Sequence, residues 1–198
     1  MCPHTLLIIK FCIYTRIAFK MADINRSFPN ILITGTPGVG KSLLSHILCR
    51  KTGLTCIEVS NFAIQKGCLE EYDEVYECPI LDEEKLLNEM EDLICKGGMV
   101  VDYHGCDFFP QDWFDIVFVL RTDNTILYDR LKERGYTGKK LEDNIQCEIF
   151  QIILEQARIT FEREIIHELT SDNINQVTDN VNRICQWIEQ WKLDNQEE

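Results

Sequence analysis

The chain has 198 residues, 45% of them hydrophobic, 10% aromatic and 27% charged, which excludes disorder as the main state and leaves room for one compact domain rather than two. Its 33 acidic and 20 basic residues give a net charge of −13, which repels nucleic-acid phosphates, argues against sequence-specific DNA or RNA binding and favours basic partners. The ten cysteines contain no C-x-x-C pair, so neither a zinc centre nor a disulfide framework is indicated, and buried free thiols in a reducing compartment are expected.

Residues 1–20 carry Lys10, Arg16 and Lys20 and no acid, the charge balance of a transit peptide without its serines. Lys10 interrupts the apolar run Leu6 to Tyr14, and nothing in the chain reaches the ~18 apolar residues of a membrane span. We expect residues 1–25 to be an appendage outside the fold, with Met21 an equally good start, and residues 26–198 to form a single domain. Without residues 1–20 there are 17 basic against 33 acidic residues, a net −16.

From Asn30 onward, strands and helices alternate. Asn30 to Thr34 is a short β-branched run leading into a glycine-rich turn, and Lys41 to Thr52 places Leu44, Ile47 and Leu48 at helical spacing before the C-capping Gly53. Thr55 to Val59 reads as a second strand, and Glu83 to Lys96 as an amphipathic helix stopped by Gly97-Gly98. Met99 to Val101 and Asp115 to Leu120 are almost wholly apolar, as strands covered on both faces must be. Thr122 to Arg134 is a helix with Asp123 near its start and Gly135 at its stop. Leu141 to Arg163 reads as one longer helical stretch, Ile165 to Leu169 as a fifth strand, and Ile174, Val177, Val181, Ile184, Ile188 and Trp191 as the stripe of a C-terminal helix. Such alternation implies an open parallel sheet with helices on both faces and a ligand site at the carboxyl ends of its strands.

Gly35-Thr36-Pro37-Gly38-Val39-Gly40-Lys41-Ser42 fills every position of G-x-x-x-x-G-K-[ST] and stands between a strand and a helix, where that motif works. Its glycines let successive amides converge on phosphate oxygens at a positive helix end. Lys41 then reaches the β and γ phosphates, Ser42 offers a hydroxyl to Mg²⁺, and the amide of Leu43 is free to donate because it lies in the first helical turn.

Asp102 follows the strand Met99 to Val101 and is the candidate second oxygen donor for Mg²⁺. Asp102-x-x-Gly105 also fits the D-x-x-G of GTPases, but the guanine motif N-K-x-D is absent from the chain, so adenine is favoured. His104, two residues beyond Asp102, is placed to orient or deprotonate an attacking water, whereas His4, His46 and His167 read as structural or solvated. Arg130 and Arg134, at i and i+4 on one helix face, are candidates to stack on the base and clamp phosphate oxygens. Arg134 immediately precedes the turn Gly135 to Lys140, a candidate lid.

The segments ITGTPGVGKS, EYDEVYECPILDEEK, VVDYHGCDFFP, FVLRTD, RLKERGY, LEDNIQCEIFQ and WIEQW occur in this order. From about Pro29 to Trp191 the chain closely resembles the adenylate kinase isoenzyme 6 family, small nuclear adenylate kinases and ATPases that act in small ribosomal subunit maturation. The resemblance implies a P-loop NTPase of nucleoside monophosphate kinase-like fold, with a five-stranded parallel core, a monophosphate-binding insert at 58–81 and a lid at 133–143. It also implies ATP and AMP as substrates with Mg²⁺ as cofactor. The acidic charge and the apolar C-terminal helix are compatible with docking a basic small-subunit ribosomal protein, and we expect a monomer in nucleus and cytoplasm. Gly38, Gly40, Lys41, Ser42 and Leu43 match the family's ATP loop, Asp102 and His104 its D-x-H motif, and Arg134 its lid arginine.

The chain departs from the family at the start of the insert. Where the family reads G-D-L-A-R-E, this sequence has Ser60-Asn61-Phe62-Ala63-Ile64-Gln65, so Ile64 occupies the place of the arginine that would grip the acceptor phosphate. An isoleucine cannot replace a bidentate guanidinium, and Lys66 is the nearest cation. The expectation is therefore an ATP-hydrolysing assembly factor with weak adenylate kinase activity. Its alternatives are an efficient metabolic adenylate kinase and a catalytically silent interaction module.

Overall fold

A computed structural model of the chain describes residues 26–74 and 78–195. The expected appendage 1–25 and positions 75–77 of the expected insert lie outside them.

Five strands, β1 (Ile31–Thr34), β2 (Thr55–Glu58), β5 (Met99–Asp102), β6 (Ile116–Arg121) and β7 (Ile166–Thr170), form one sheet in the order β2-β5-β1-β6-β7. Every pairing in it is parallel. Two shorter strands, β3 (Leu69–Asp73) and β4 (Cys78–Leu81), make a separate antiparallel hairpin. The helices are α1 (Lys41–Thr52), α2 (Val59–Lys66), α3 (Glu83–Lys96), α4 (Asn124–Glu133), α5 (Gly138–Ile149), α6 (Ile152–Thr160) and α7 (Ile174–Asp194).

The period-two alternation of a strand sends successive side chains to opposite faces, and two cores result. Leu32, Val101 and Val117 join Leu86, Met90 and Ile94 of α3 and Leu154 and Ala157 of α6. Ile31, Ile33, Val100 and Phe118 join Leu44 and Leu48 of α1, Leu127 and Leu131 of α4, and Val177, Val181, Ile184 and Ile188 of α7. Helices thus cover both faces, which is why β1 and β5 are buried at every position and carry no polar alternation.

Most elements lie within a residue or two of the sequence expectation, and three differences bear on the packing. Strand β2 stops at Glu58, and Val59 opens α2. The expected helix Leu141 to Arg163 is two helices, broken at Gln151, whose φ of 57° is the only positive value on a non-glycine among the described residues. The break has a packing cause. Leu141 of α5 belongs to one core, whereas Leu154 and Ala157 of α6 belong to the other, so the chain must pass from one face of the sheet to the other between them, and the turn at Gln151 redirects it. In α7 the expected stripe is buried from Val177 to Ile188, but Ile174 at its start is 58% exposed. Among the described cysteines, all free, Cys68 and Cys106 are buried and Cys78 is exposed, so burial is not general. No helix among the described residues is long and apolar enough to cross a membrane.

Candidate nucleotide site

β1 is the central strand, and the chain leaves its carboxyl end directly into the phosphate loop before entering α1. Gly35 has φ +141°, and a Cβ there would lie 2.5 Å from the carbonyl oxygen of Leu120. At Gly38, with φ +97°, a Cβ would lie 2.8 Å from Leu127 Cδ1. Only glycine fits either place. Helix α1 has no side-chain cap on its N-terminus and no acid in its first turn, so its leading amides are left for an external anion.

These elements open on a cavity of about 690 Å³, within the usual range for a small-molecule site. Pro37, Gly38, Gly40, Lys41, Ser42 and Leu43 form its floor, Asp102, Tyr103 and His104 one wall, and Arg134, Tyr136, Lys140, Asn144 and Cys147 another. Glu58 and Ser60 close the side toward α2. Gly35, Thr36 and Val39 are buried beneath the floor and do not line it.

Lys41 Nζ donates to the carbonyl oxygens of Gly35 (2.8 Å) and Thr36 (3.2 Å). Burial lowers its pKa to about 8, with the positive charge of Arg134 acting in the same direction and Asp102 opposing both, so it is still mainly cationic at neutral pH. Asp102 pairs in register with Ile33 on one side and Glu58 on the other. It is 6% exposed; burial raises its pKa, while the Ser42 hydroxyl hydrogen bond and Lys41 pull it back. The Ser45 hydroxyl lies 3.4 Å from Asp102 Oδ2 and donates to the Lys41 carbonyl at 2.8 Å. His104 lines the cavity and remains accessible from it. Desolvation by the surrounding walls, then the Lys41 charge, lowers its pKa to about 4, so its imidazole is neutral at physiological pH. Its ring rests against Tyr103 with centroids 4.2 Å apart.

The structure separates the two helix arginines. Arg134 faces the cavity, but Arg130 does not. The Arg130 guanidinium donates to the carbonyls of Asp172 (2.7 Å), Ser171 (3.0 Å) and Gly38 (3.5 Å). It braces the β7–α7 connection against the phosphate loop, and a stack on the base is not its observed placement. Ile64 is 62% exposed on α2 and is absent from the cavity wall. Sequence reading missed Glu58, Tyr136, Lys140, Asn144 and Glu148. Glu58 had a signal, an acid ending a strand as Asp102 does. Tyr136 and Lys140 lay in the candidate lid and Asn144 and Glu148 in the segment LEDNIQCEIFQ, but no spacing there singled out an individual side chain.

A carboxylate and a serine hydroxyl beside a lysine-bearing phosphate loop, at the carboxyl end of a parallel sheet, define a phosphate-loop protein of the nucleotide-binding kinase class. A sequence profile described as an AAA domain matches residues 31–151. The chain is 51% identical over 164 residues to a protein of Drosophila melanogaster named adenylate kinase isoenzyme 6 homolog, covering 83% of this chain and 94% of that one. It is 46% identical over 169 residues to the protein of the same name from Dictyostelium discoideum, covering 85% and 97%. Among solved structures, shikimate kinase from Acinetobacter baumannii superposes with a TM-score of 0.57 at 21% identity, over 84% of this chain and 96% of that one, a likeness of fold. The chain belongs to the adenylate kinase isoenzyme 6 family.

Proposed function

We propose that this protein hydrolyses ATP, that its adenylate kinase activity (ATP + AMP = 2 ADP) is weak, and that it acts in small ribosomal subunit maturation. One observation carries the reading. The phosphate-loop half of the cavity is complete, with Lys41, Asp102, His104 and Arg134 converging on it, whereas the position of the acceptor arginine holds Ile64, exposed and off the wall.

In this reading the loop amides and Leu43 N–H cradle the phosphates. Lys41 follows the γ-phosphate and Arg134 stabilises the charge that develops on it. His104, neutral, accepts a hydrogen bond from the attacking water and holds it in line. The oxygen pair Ser42 and Asp102 fits a hard divalent cation, because a buried carboxylate beside a hydroxyl is the donor chemistry such an ion takes. A Mg²⁺ held by Ser42 and Asp102 would supply charge neutralisation beside the phosphates. The net charge of −13 supports a basic protein partner. The ribosomal role follows what the family resemblance implies, and a monomer residing in nucleus and cytoplasm is part of the same proposal.

The test is to incubate purified protein with Mg-ATP, with and without AMP, and separate ADP formed with inorganic phosphate from ADP formed by transfer. The reading predicts phosphate release that does not require AMP. ADP formed only with AMP, and without phosphate, would replace it by an efficient adenylate kinase.

A further inference from the structure

Glu148, in the last turn of α5, is 2% exposed, and the proposed chemistry makes no use of it. A buried carboxylate is costly unless its oxygens are paired and bonded. Here both are. Oε2 accepts from the Thr36 hydroxyl at 2.5 Å, and Oε1 accepts from Arg121 Nε at 2.5 Å and from the Thr122 amide at 3.3 Å. The Glu148 carbonyl accepts from Arg121 Nη2 at 3.0 Å.

These partners belong to different parts of the site. Arg121 ends β6, and Thr122 follows it, with its hydroxyl 3.5 Å from the Val39 carbonyl. Thr36 belongs to the phosphate loop, and its carbonyl is one of the two that hold the Lys41 ammonium. Helix α5 itself sends Lys140, Asn144 and Cys147 to the cavity wall. A single carboxylate therefore lies between the helix lining the cavity and the residue whose main chain holds the loop lysine.

We propose that Glu148 is a positioning residue that locks the phosphate loop to α5 through the Thr36 hydroxyl, so that loop geometry and helix position change together. A displacement of α5 pulls on Thr36, and Thr36 fixes one of the two carbonyls on Lys41. The alternative role is a plain buried ion pair, Glu148 with Arg121, fastening α5 to β6. The two differ at Thr36. Thr36→Val keeps the volume and leaves the ion pair intact while removing the hydroxyl.

The kinetic readout rests on the proposed ATP hydrolysis, so the experiment carries a second readout that needs only Mg-ATP binding. Wild type, Thr36→Val, Thr36→Ser, Glu148→Gln and the Glu148→Gln/Thr36→Val double variant of the full chain are compared for kcat and KM. Amide exchange over residues 138–149 is followed with and without saturating Mg-ATP. Loss of a hydrogen bond to a charged group predicts a kcat lower by roughly ten- to hundredfold in Thr36→Val, with KM within about twofold because the effect acts on the transition state. Thr36→Ser should restore the rate, the double variant should be no worse than the poorer single one because both cut the same link, and nucleotide-induced slowing of exchange in α5 should vanish in Thr36→Val. Wild-type kcat and wild-type exchange protection in Thr36→Val, with Glu148→Gln lowering only the melting temperature, would overturn the proposal in favour of the plain ion pair. Wild type that binds Mg-ATP without hydrolysing it would sink the hydrolysis reading alone, and the exchange comparison would still decide the coupling.

Discussion

The ammonium of Lys66 lies 3.0 Å from Oε2 of Glu89, which ties the one cation close to Ile64 in sequence to α3 rather than to the nucleotide cavity. Its other neighbour is the ring of Phe62, with the centroid 5.7 Å away. Lys66 is thus engaged with α3 and does not line the nucleotide cavity, which argues against its standing in for the guanidinium the family carries at the position of Ile64.

Ile64→Arg should therefore raise AMP-dependent ADP formation while ATP hydrolysis measured alone stays at the wild-type rate. A charge-assisted contact to phosphate is worth about 1.5–3 kcal/mol, a gain of roughly ten- to hundredfold in AMP affinity. Calorimetric titration with AMP checks it. Tight AMP binding by wild type that is lost in Lys66→Ala, with no gain in Ile64→Arg, would return the acceptor role to Lys66.

Replacing His104 by glycine should slow ATP hydrolysis about a hundredfold and leave the dissociation constant for Mg-ATP nearly unchanged. A group that orients water acts in the transition state more than in the ground state. If binding falls in step with turnover, the ring packed on Tyr103 is there for the fold.

Two glycines with positive φ should respond differently to alanine. Gly35→Ala drives a methyl group to 2.5 Å from the Leu120 carbonyl, whereas at Gly53 (φ +75°) nothing lies within 4 Å. Backbone strain of this kind costs about 1–3 kcal/mol, and about 2–4 °C of melting temperature follows each kcal/mol in a domain of this size. Thermal melts should show the larger loss in Gly35→Ala. Equal losses would mean that strain, not the close approach to β6, governs both sites.

What could be read from the sequence follows from the range of the signals. The phosphate loop is contiguous, and its context, an apolar strand before and an amphipathic helix after, is local. Helices α1 and α3 begin and end where glycines and an Asp82 N-cap dictate, with Asp82 accepting from the Lys85 amide. The break at Gln151 carried no such mark, because it is set by which core each half must reach, and neither glycine nor proline stands there. Arg130 and Arg134 look equivalent on a helix wheel and differ only because the β7–α7 connection brings the carbonyls of Ser171 and Asp172 to one of them. Glu148 was invisible for the same reason, its partners Thr36 and Arg121 being 112 and 27 residues away in sequence.

The most direct test of an ATP-hydrolysing phosphate-loop site is a single-turnover measurement of phosphate release from Mg-ATP, without AMP, by wild type and Lys41→Ala. Lys41 is the only lysine of the loop, and its removal takes away a transition-state contact of the kind that typically costs about 10²–10³ in rate. The account predicts measurable release by wild type and a loss of that order in the variant, with both proteins folded by circular dichroism. Equal rates in the two proteins, or no release by folded wild type that binds Mg-ATP, would contradict it.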